Sequence, residues 1–325
     1  MGEIMNNPNT AHSAHSNADS DINVGMAFMI VAMLLLPVGD TLAKILTDVM
    51  HPVEVGMWRF VSQAIWFVPV GIFMRRYLRG PMLSPIVALS GALMVICVVA
   101  LITAFKVMPI ATAIAIFFVE PLVLTLLAGL ILREKIGPRR LVAIGVGLVG
   151  AMLVIRPSFA EFGWPALLPL ISAVTYALNM IVLRHASKQR SALTVQFGAT
   201  IYAAIGMVLL STVLSLSGGV EFAGPLAGGW AWQVIVAGGA LSAVTFVLVA
   251  EAFRRAEAGL LAPFQYLEIL GATAAGYLVF GDFPDWITWV GIAIILASGI
   301  YVFHREREVG RYRPTTTEIE NECAR

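Results

Sequence analysis

Three carboxylates interrupt long apolar runs in this sequence: Asp40, Glu120 and Glu268. A charge at the centre of a lipid-facing helix costs about 3 kcal/mol on insertion scales. Such groups must therefore face the protein interior or a water-filled cavity. There they are suited to carry a proton, or to meet a solute by charge and hydrogen bonding. The competing reading is structural. A protonated Glu can bond a neighbouring helix and lock the packing, and Asp40 lies four residues before Lys44, the spacing of an intrahelical pair. Pro121 follows Glu120 directly and leaves a carbonyl near Phe117 without its helical donor. Freed backbone groups are tolerated at membrane depth only where protein or water satisfies them, so a kink or hinge beside a cavity is expected there. Pro263 makes the same case five residues before Glu268. Around the acids stand Phe117, Phe118, Phe264, Gln265 and Tyr266, with Trp58, Tyr176 and Asn179 on other apolar runs. Aromatic faces beside a carboxylate suit a planar, polar organic solute, and a cationic one by cation–π contact. The plainer alternative is that most of these rings face lipid or other helices.

The elements that must position these groups are membrane helices. Of 325 residues, 59% are apolar and 13% charged, and the mean hydropathy is +0.86. That excludes disorder, a collagen repeat and a secreted disulfide scaffold. A net charge of +1 gives no electrostatic case for nucleic acid. A bilayer crossing needs about 20 apolar residues. Ten windows meet or nearly meet that rule, near 24–45, 54–74, 85–105, 109–131, 140–156, 165–184, 192–215, 230–250, 258–280 and 285–303. The runs are continuous and do not alternate, which argues against a β-barrel. Residues 1–23 are polar and are expected to form a disordered tail, and residues 304–325 a solvated tail of mixed charge. Of the 21 Lys and Arg residues, 17 fall on the side of the N terminus; only Lys44, Arg59, Lys106 and Arg156 fall on the other. Basic loops stay in the cytoplasm, so both termini are predicted to be cytoplasmic. Arg59, Lys106, Arg254 and Arg255 are expected to snorkel to the interface. Glu134, Asp282 and Asp285 are read as structural or gating groups at span ends, and Gly145, Gly147 and Gly150 as a close-packing face.

The chain also repeats itself. Residues 104–134 match 252–282 at an offset of 148, with Ala104, Phe105, Glu120, Leu122, Thr125 and Leu130 finding identical partners. Phe118 pairs with Tyr266, and Glu134 with Asp282. Each copy holds five spans, an odd number, so the second must lie upside down relative to the first. The predicted class is an all-α polytopic membrane protein with ten transmembrane helices in two inverted five-helix repeats, 24–156 and 165–303. Inverted repeats are an architecture of secondary transporters, with the solute site near the midplane.

The run "FFVEPLVLTLLAGLILREKIGPRRLVAIGVGLVGAMLVI", with its Glu-Pro, acid at the span end and Gly-rich next span, resembles the EamA-type transporters of the drug/metabolite transporter superfamily. "GDTLAK" at 39–44 and residues 262–291 look most like the S-adenosylmethionine uptake members; riboflavin importers belong to the same superfamily. The resemblance covers about 24–304. It implies ten spans in two inverted halves, with spans from both halves lining a central cavity, a bacterial inner-membrane location and a small organic substrate. One departure is that Glu-Pro in the first repeat is Glu268-Ile269 in the second, so the halves are expected to move differently. The expected function is uptake of a vitamin- or cofactor-like heteroaromatic solute by alternating access, with protons as a candidate coupling partner. Export of amino acids or other metabolites is the alternative. No Gly-Lys-Ser/Thr phosphate loop, HExxH or GxSxG occurs, so neither an ATP motor nor an intramembrane enzyme is expected, and no metal or cofactor.

Overall fold

A computed structural model describes residues 8–131, 137–187, 189–218, 220–226, 228–256 and 258–311. Among them every regular element is a helix. The first repeat comprises α1 (Pro8–Leu46), α2 (Pro52–Phe73), α3 (Pro85–Val107), α4 (Ile110–Phe117), α5 (Glu120–Ile131) and α6 (Pro138–Phe162). The second comprises α7 (Leu168–Ala186), α8 (Ala192–Leu216), α9 (Ala231–Arg255), α10 (Ala258–Gln265), α11 (Leu267–Phe280) and α12 (Trp286–Arg311). Eight helices, counting α4 and α5 as one, are long and apolar enough to cross a membrane. The broken pair α10–α11 and the apolar part of α12 (Trp286–Val302) complete ten segments in the expected order. α1 begins at Pro8, so residues 8–23 extend a helix where composition predicts a disordered tail. Once an apolar segment has nucleated a helix, each added residue costs little. Proline opens α2, α3 and α6 at their first turns, where its missing N–H is no loss.

The packing is two-fold. α1 lies against α9 as α7 lies against α3, and α2 meets α9 as α8 meets α3. α2 packs on α8, and α6 on α12, each on its own counterpart. Superposing helix ends, Leu46 on Ala186 and Pro52 on Ala192, puts Thr194 where the first repeat has Glu54. Both residues hold a loop from the other half. Glu54 accepts from the backbone N–H groups of Ala223 and Gly224, at 3.1 and 2.7 Å. Thr194 accepts from the N–H of Arg79 at 2.9 Å. The first strap joins loops on the side away from the N terminus and the second joins loops on the N-terminal side. That is the alternation an inverted repeat requires.

Glycines set the closest crossings. Gly91 on α3 packs against the α8 backbone at Ala199 and Ala203, and its repeat mate Gly239 on α9 packs against Ser62 of α2. Gly150 and Gly291 bring α6 and α12 together, and Gly147 abuts Leu122 and Ser298. Gly145 faces open space, so it does not share the packing face expected for it. Large apolar side chains such as Phe73, Leu216 and Leu278 are 80% or more exposed, an outward surface suited to lipid.

At the α1–α2 turn, His51 caps α2 by accepting from the N–H of Val53 at 3.3 Å through Nδ1, and its ring meets Phe222 edge-on. Burial first, then the charge of Lys106, pushes His51 below its ordinary value, against the opposing pull of Glu54. The neutral ring is therefore favoured in the folded chain. Its contribution is complete above about pH 6.5 and is lost as pH falls through the interval down to the depressed value. His51→Asn, which keeps a capping acceptor without titrating, is expected to flatten the fall in thermal stability between pH 7.5 and 5. Separately, Gly239→Val should destabilise the detergent-solubilised protein by roughly 1–3 kcal/mol through overpacking against Ser62. Gly145→Val should leave it unchanged, as measured by melting on size-exclusion chromatography.

Candidate functional site

The fourth and ninth segments are each broken at the same repeat position. α4 ends at Phe117 and α5 starts at Glu120; α10 ends at Gln265 and α11 starts at Leu267. The prolines do not share that position. Pro121 lies in the first turn of α5, after its break, whereas Pro263 lies inside α10, before its break. The breaks coincide although the prolines differ, so packing decides where the chain turns. The backbone break is thus shared by the two halves although the prolines are not.

Phe118 and Tyr266, the repeat-related residues at the two breaks, touch each other with ring centroids 5.5 Å apart. Equivalent residues can meet only at the pseudo-two-fold axis, so the breaks flank the molecular centre. The rings continue from there: Phe118 to Phe117 at 6.3 Å, and Phe117 to Tyr176 of α7 at 5.6 Å. The Tyr266 hydroxyl rests against α12 at Gly299, where any Cβ would collide with it. Four of the sequence-derived aromatic candidates thus form one continuous file across both halves.

Glu120 and Glu268 start the helices that follow the breaks, each in a first turn where backbone N–H groups lack helical partners. Both are partly buried. Among the described residues neither carboxylate makes a hydrogen bond or ion pair. The helix-locking role considered for them therefore has no bond to support it. Both acids lie within electrostatic range of the Tyr176 hydroxyl, and Glu268 also of Asp40 and Arg59.

Asp40 is buried and pairs with Arg59 of α2, Nη1 to Oδ1 at 3.0 Å. This replaces two expectations. Asp40 does not pair with Lys44, and Arg59 does not snorkel outward but turns in. Lys44 instead reaches Asp282 at 3.1 Å and the carbonyl of Met108 at 3.1 Å, with its ammonium 4.6 Å from the Phe280 ring centroid. These bonds tie α1 to the α3–α4 link and to the end of α11, all on the side away from the N terminus. Burial of the helix ends makes this exchange favourable, since an intrahelical pair gains only about 0.3–0.5 kcal/mol. Arg254 and Arg255 both pair with Glu251 on α9, and Arg255 also stacks on Phe28 of α1.

The other candidates divide. Asn179 is buried and accepts from Ser90 of α3 at 2.6 Å, so it cross-links helices. Phe264 packs into the cluster of Met29, Met33 and Leu261 between α1, α9 and α10, away from the aromatic file. Gln265 ends α10 and makes no hydrogen bond among the described residues. Trp58 packs against Leu46, Val55 and Ile235, and its indole N–H is buried without an acceptor. Glu134 lies outside the described residues. Arg59 is the partner of Asp40 that sequence reasoning missed; a lone Arg at the sixth residue of the apolar window 54–74 was the available signal. Among the described residues no cluster of metal-ligating side chains occurs.

Comparison with known proteins is decisive for the family. The EamA-like transporter family matches twice, over residues 23–156 and 163–303. The chain belongs to that family. It is a multi-pass membrane transporter and not an enzyme. It is 24% identical over 289 residues to an S-adenosylmethionine uptake transporter of Rickettsia prowazekii, covering 87% of this chain and 94% of that protein. It is 30% identical to a riboflavin transporter of Rhizobium johnstonii over 198 residues, 61% of this chain and 63% of that protein. A riboflavin transporter of Vibrio cholerae is 30% identical over 203 residues, 62% of this chain and 65% of that one. A crystal structure at 17% identity, with a TM-score of 0.58, covers 90% of this chain and 99% of its own, and it shares the fold.

The Lys44–Asp282 bond can be tested directly. Asp282→Lys alone is expected to raise labelling of cysteines placed near Met108 from the side away from the N terminus. Adding Lys44→Asp should restore the wild-type level, whereas persistent labelling in the double variant would separate the bond from closure.

Proposed function

We propose that this chain is a secondary transporter of the bacterial inner membrane that takes up a small organic metabolite. The substrate class is vitamin- or cofactor-like and heteroaromatic, of the kind named by its S-adenosylmethionine and riboflavin relatives. The observation that carries this reading is the pair of unpartnered, repeat-related carboxylates beside helix breaks that meet at the pseudo-two-fold axis through Phe118 and Tyr266. Unwound backbone and a charge at membrane depth are both costly, and inverted-repeat carriers keep them at the solute site. The aromatic file offers stacking surface, and the two acids offer hydrogen bonding or charge.

Transport proceeds by rocking of one half against the other. The conformation described here is tied on the side away from the N terminus by Lys44, Asp282 and Met108, which bridge the halves. Solute entry from that side requires these bonds to open, and release requires the cytoplasmic ties to open in turn. Both termini are cytoplasmic on this reading, as the distribution of Lys and Arg requires. Glu120 and Glu268 carry the coupling proton, being the central carboxylates free of a protein partner.

Labelled uptake in bacterial auxotrophs for riboflavin and for S-adenosylmethionine tests the class, and saturable counterflow in proteoliposomes tests the mechanism. Flux that rises linearly with concentration would indicate a pore; outward-directed flux alone would indicate an exporter. In the same vesicles, Glu120→Gln and Glu268→Gln should abolish pH-dependent accumulation while leaving the protein in the membrane. Unchanged pH dependence in both variants would remove proton coupling.

A further inference from the structure

The Asp40–Arg59 pair breaks the symmetry of the molecule. Superposing α1–α2 on α7–α8 places Met180 opposite Asp40 and Ala199 opposite Arg59. The second half forms the same helices with the same contacts and needs no ion pair there. The fold therefore does not require this pair, and a partly buried pair is an uneconomical way to gain stability. Its geometry is that of a site. Arg59 lies seven residues into α2, about 10 Å from the helix start. Only Nη1 is bonded, to Asp40; among the described residues its Nε and Nη2 have no hydrogen-bond partner and are not sealed from solvent. The guanidinium lines a narrow cleft between α1, α2 and α9, whose other walls include Gly39, Gly238, Gly239 and Ser242. Arg59 also lies within electrostatic range of Glu268, one of the two central acids.

A fixed guanidinium with two spare nitrogens forms a receptor for a planar anion. We propose that Arg59, oriented by Asp40, docks a carboxylate of the transported solute while the central acids and aromatic rings hold its other end. This rests on the uptake reading above and narrows it. The solute carries a carboxylate together with a heteroaromatic or cationic part, as S-adenosylmethionine does and riboflavin does not.

The test uses the full chain in phosphatidylcholine proteoliposomes, with S-adenosylmethionine, its decarboxylated analogue and riboflavin as probes. The wild type should take up the carboxylate-bearing probe with a KM lower by about tenfold or more than that of the decarboxylated one, as expected for one charge-assisted contact. Arg59→Met should bring that ratio close to one by raising only the KM of the intact probe, and Arg59→Lys should leave an intermediate ratio. If Arg59→Met does not fold, the wild-type ratio and the Lys variant decide. Equal KM values in the wild type, an unaltered ratio in either variant, or uptake of riboflavin without S-adenosylmethionine would overturn the proposal. A ratio that appears only when phosphatidylglycerol is added would also overturn it, by assigning Arg59 to lipid. Saturable uptake of none of the three probes would instead overturn the substrate reading, and this proposal with it.

Discussion

The cost of placing a carboxylate in hydrocarbon governs this molecule. Asp40, Glu120 and Glu268 are carried on segments otherwise apolar enough for the bilayer, and lipid offers none of them a partner. The protein meets the constraint in two ways. Asp40 is neutralised by Arg59. Glu120 and Glu268 are left without a partner but are set at the first turns of interrupted helices, beside the axis on which the halves meet.

The inverted repeat makes that arrangement economical. One five-segment plan, used twice, places two breaks, two acids and two aromatic rings around a common centre. It also supplies matching straps, through Glu54 on one face and Thr194 on the other. Glycines at equivalent crossings, Gly91 and Gly239, let the helices approach closely enough for van der Waals packing to hold the halves. In lipid such packing does the work that the hydrophobic effect does in water.

Where the halves differ, the difference is informative. Symmetric features describe what the fold needs in order to stand. Asp40 with Arg59, and Tyr266 with its hydroxyl seated at Gly299 where the first half has Phe118 and Ala151, are additions to one half only. Each places a polar group at a depth where polar groups are costly, and each lies close to the centre.

The sequence by itself determined the class: the lengths of the apolar runs, the one-sided Lys and Arg distribution and the offset of 148 require a polytopic chain of two opposed halves. Those signals are local or periodic, and bilayer thickness and charge translocation read them directly. Prolines pointed to kinks near Glu120 and Glu268, but the shared position of the two breaks came from packing. Partner choice was not legible. Lys44 passes over Asp40 for Asp282, 238 residues away, Arg59 turns inward, Asn179 is taken by Ser90, and Phe264 leaves the aromatic file. Spacing along one helix cannot show which side chain a neighbouring helix will present. Only the packed arrangement decided which charges are satisfied and which two are left open at the centre.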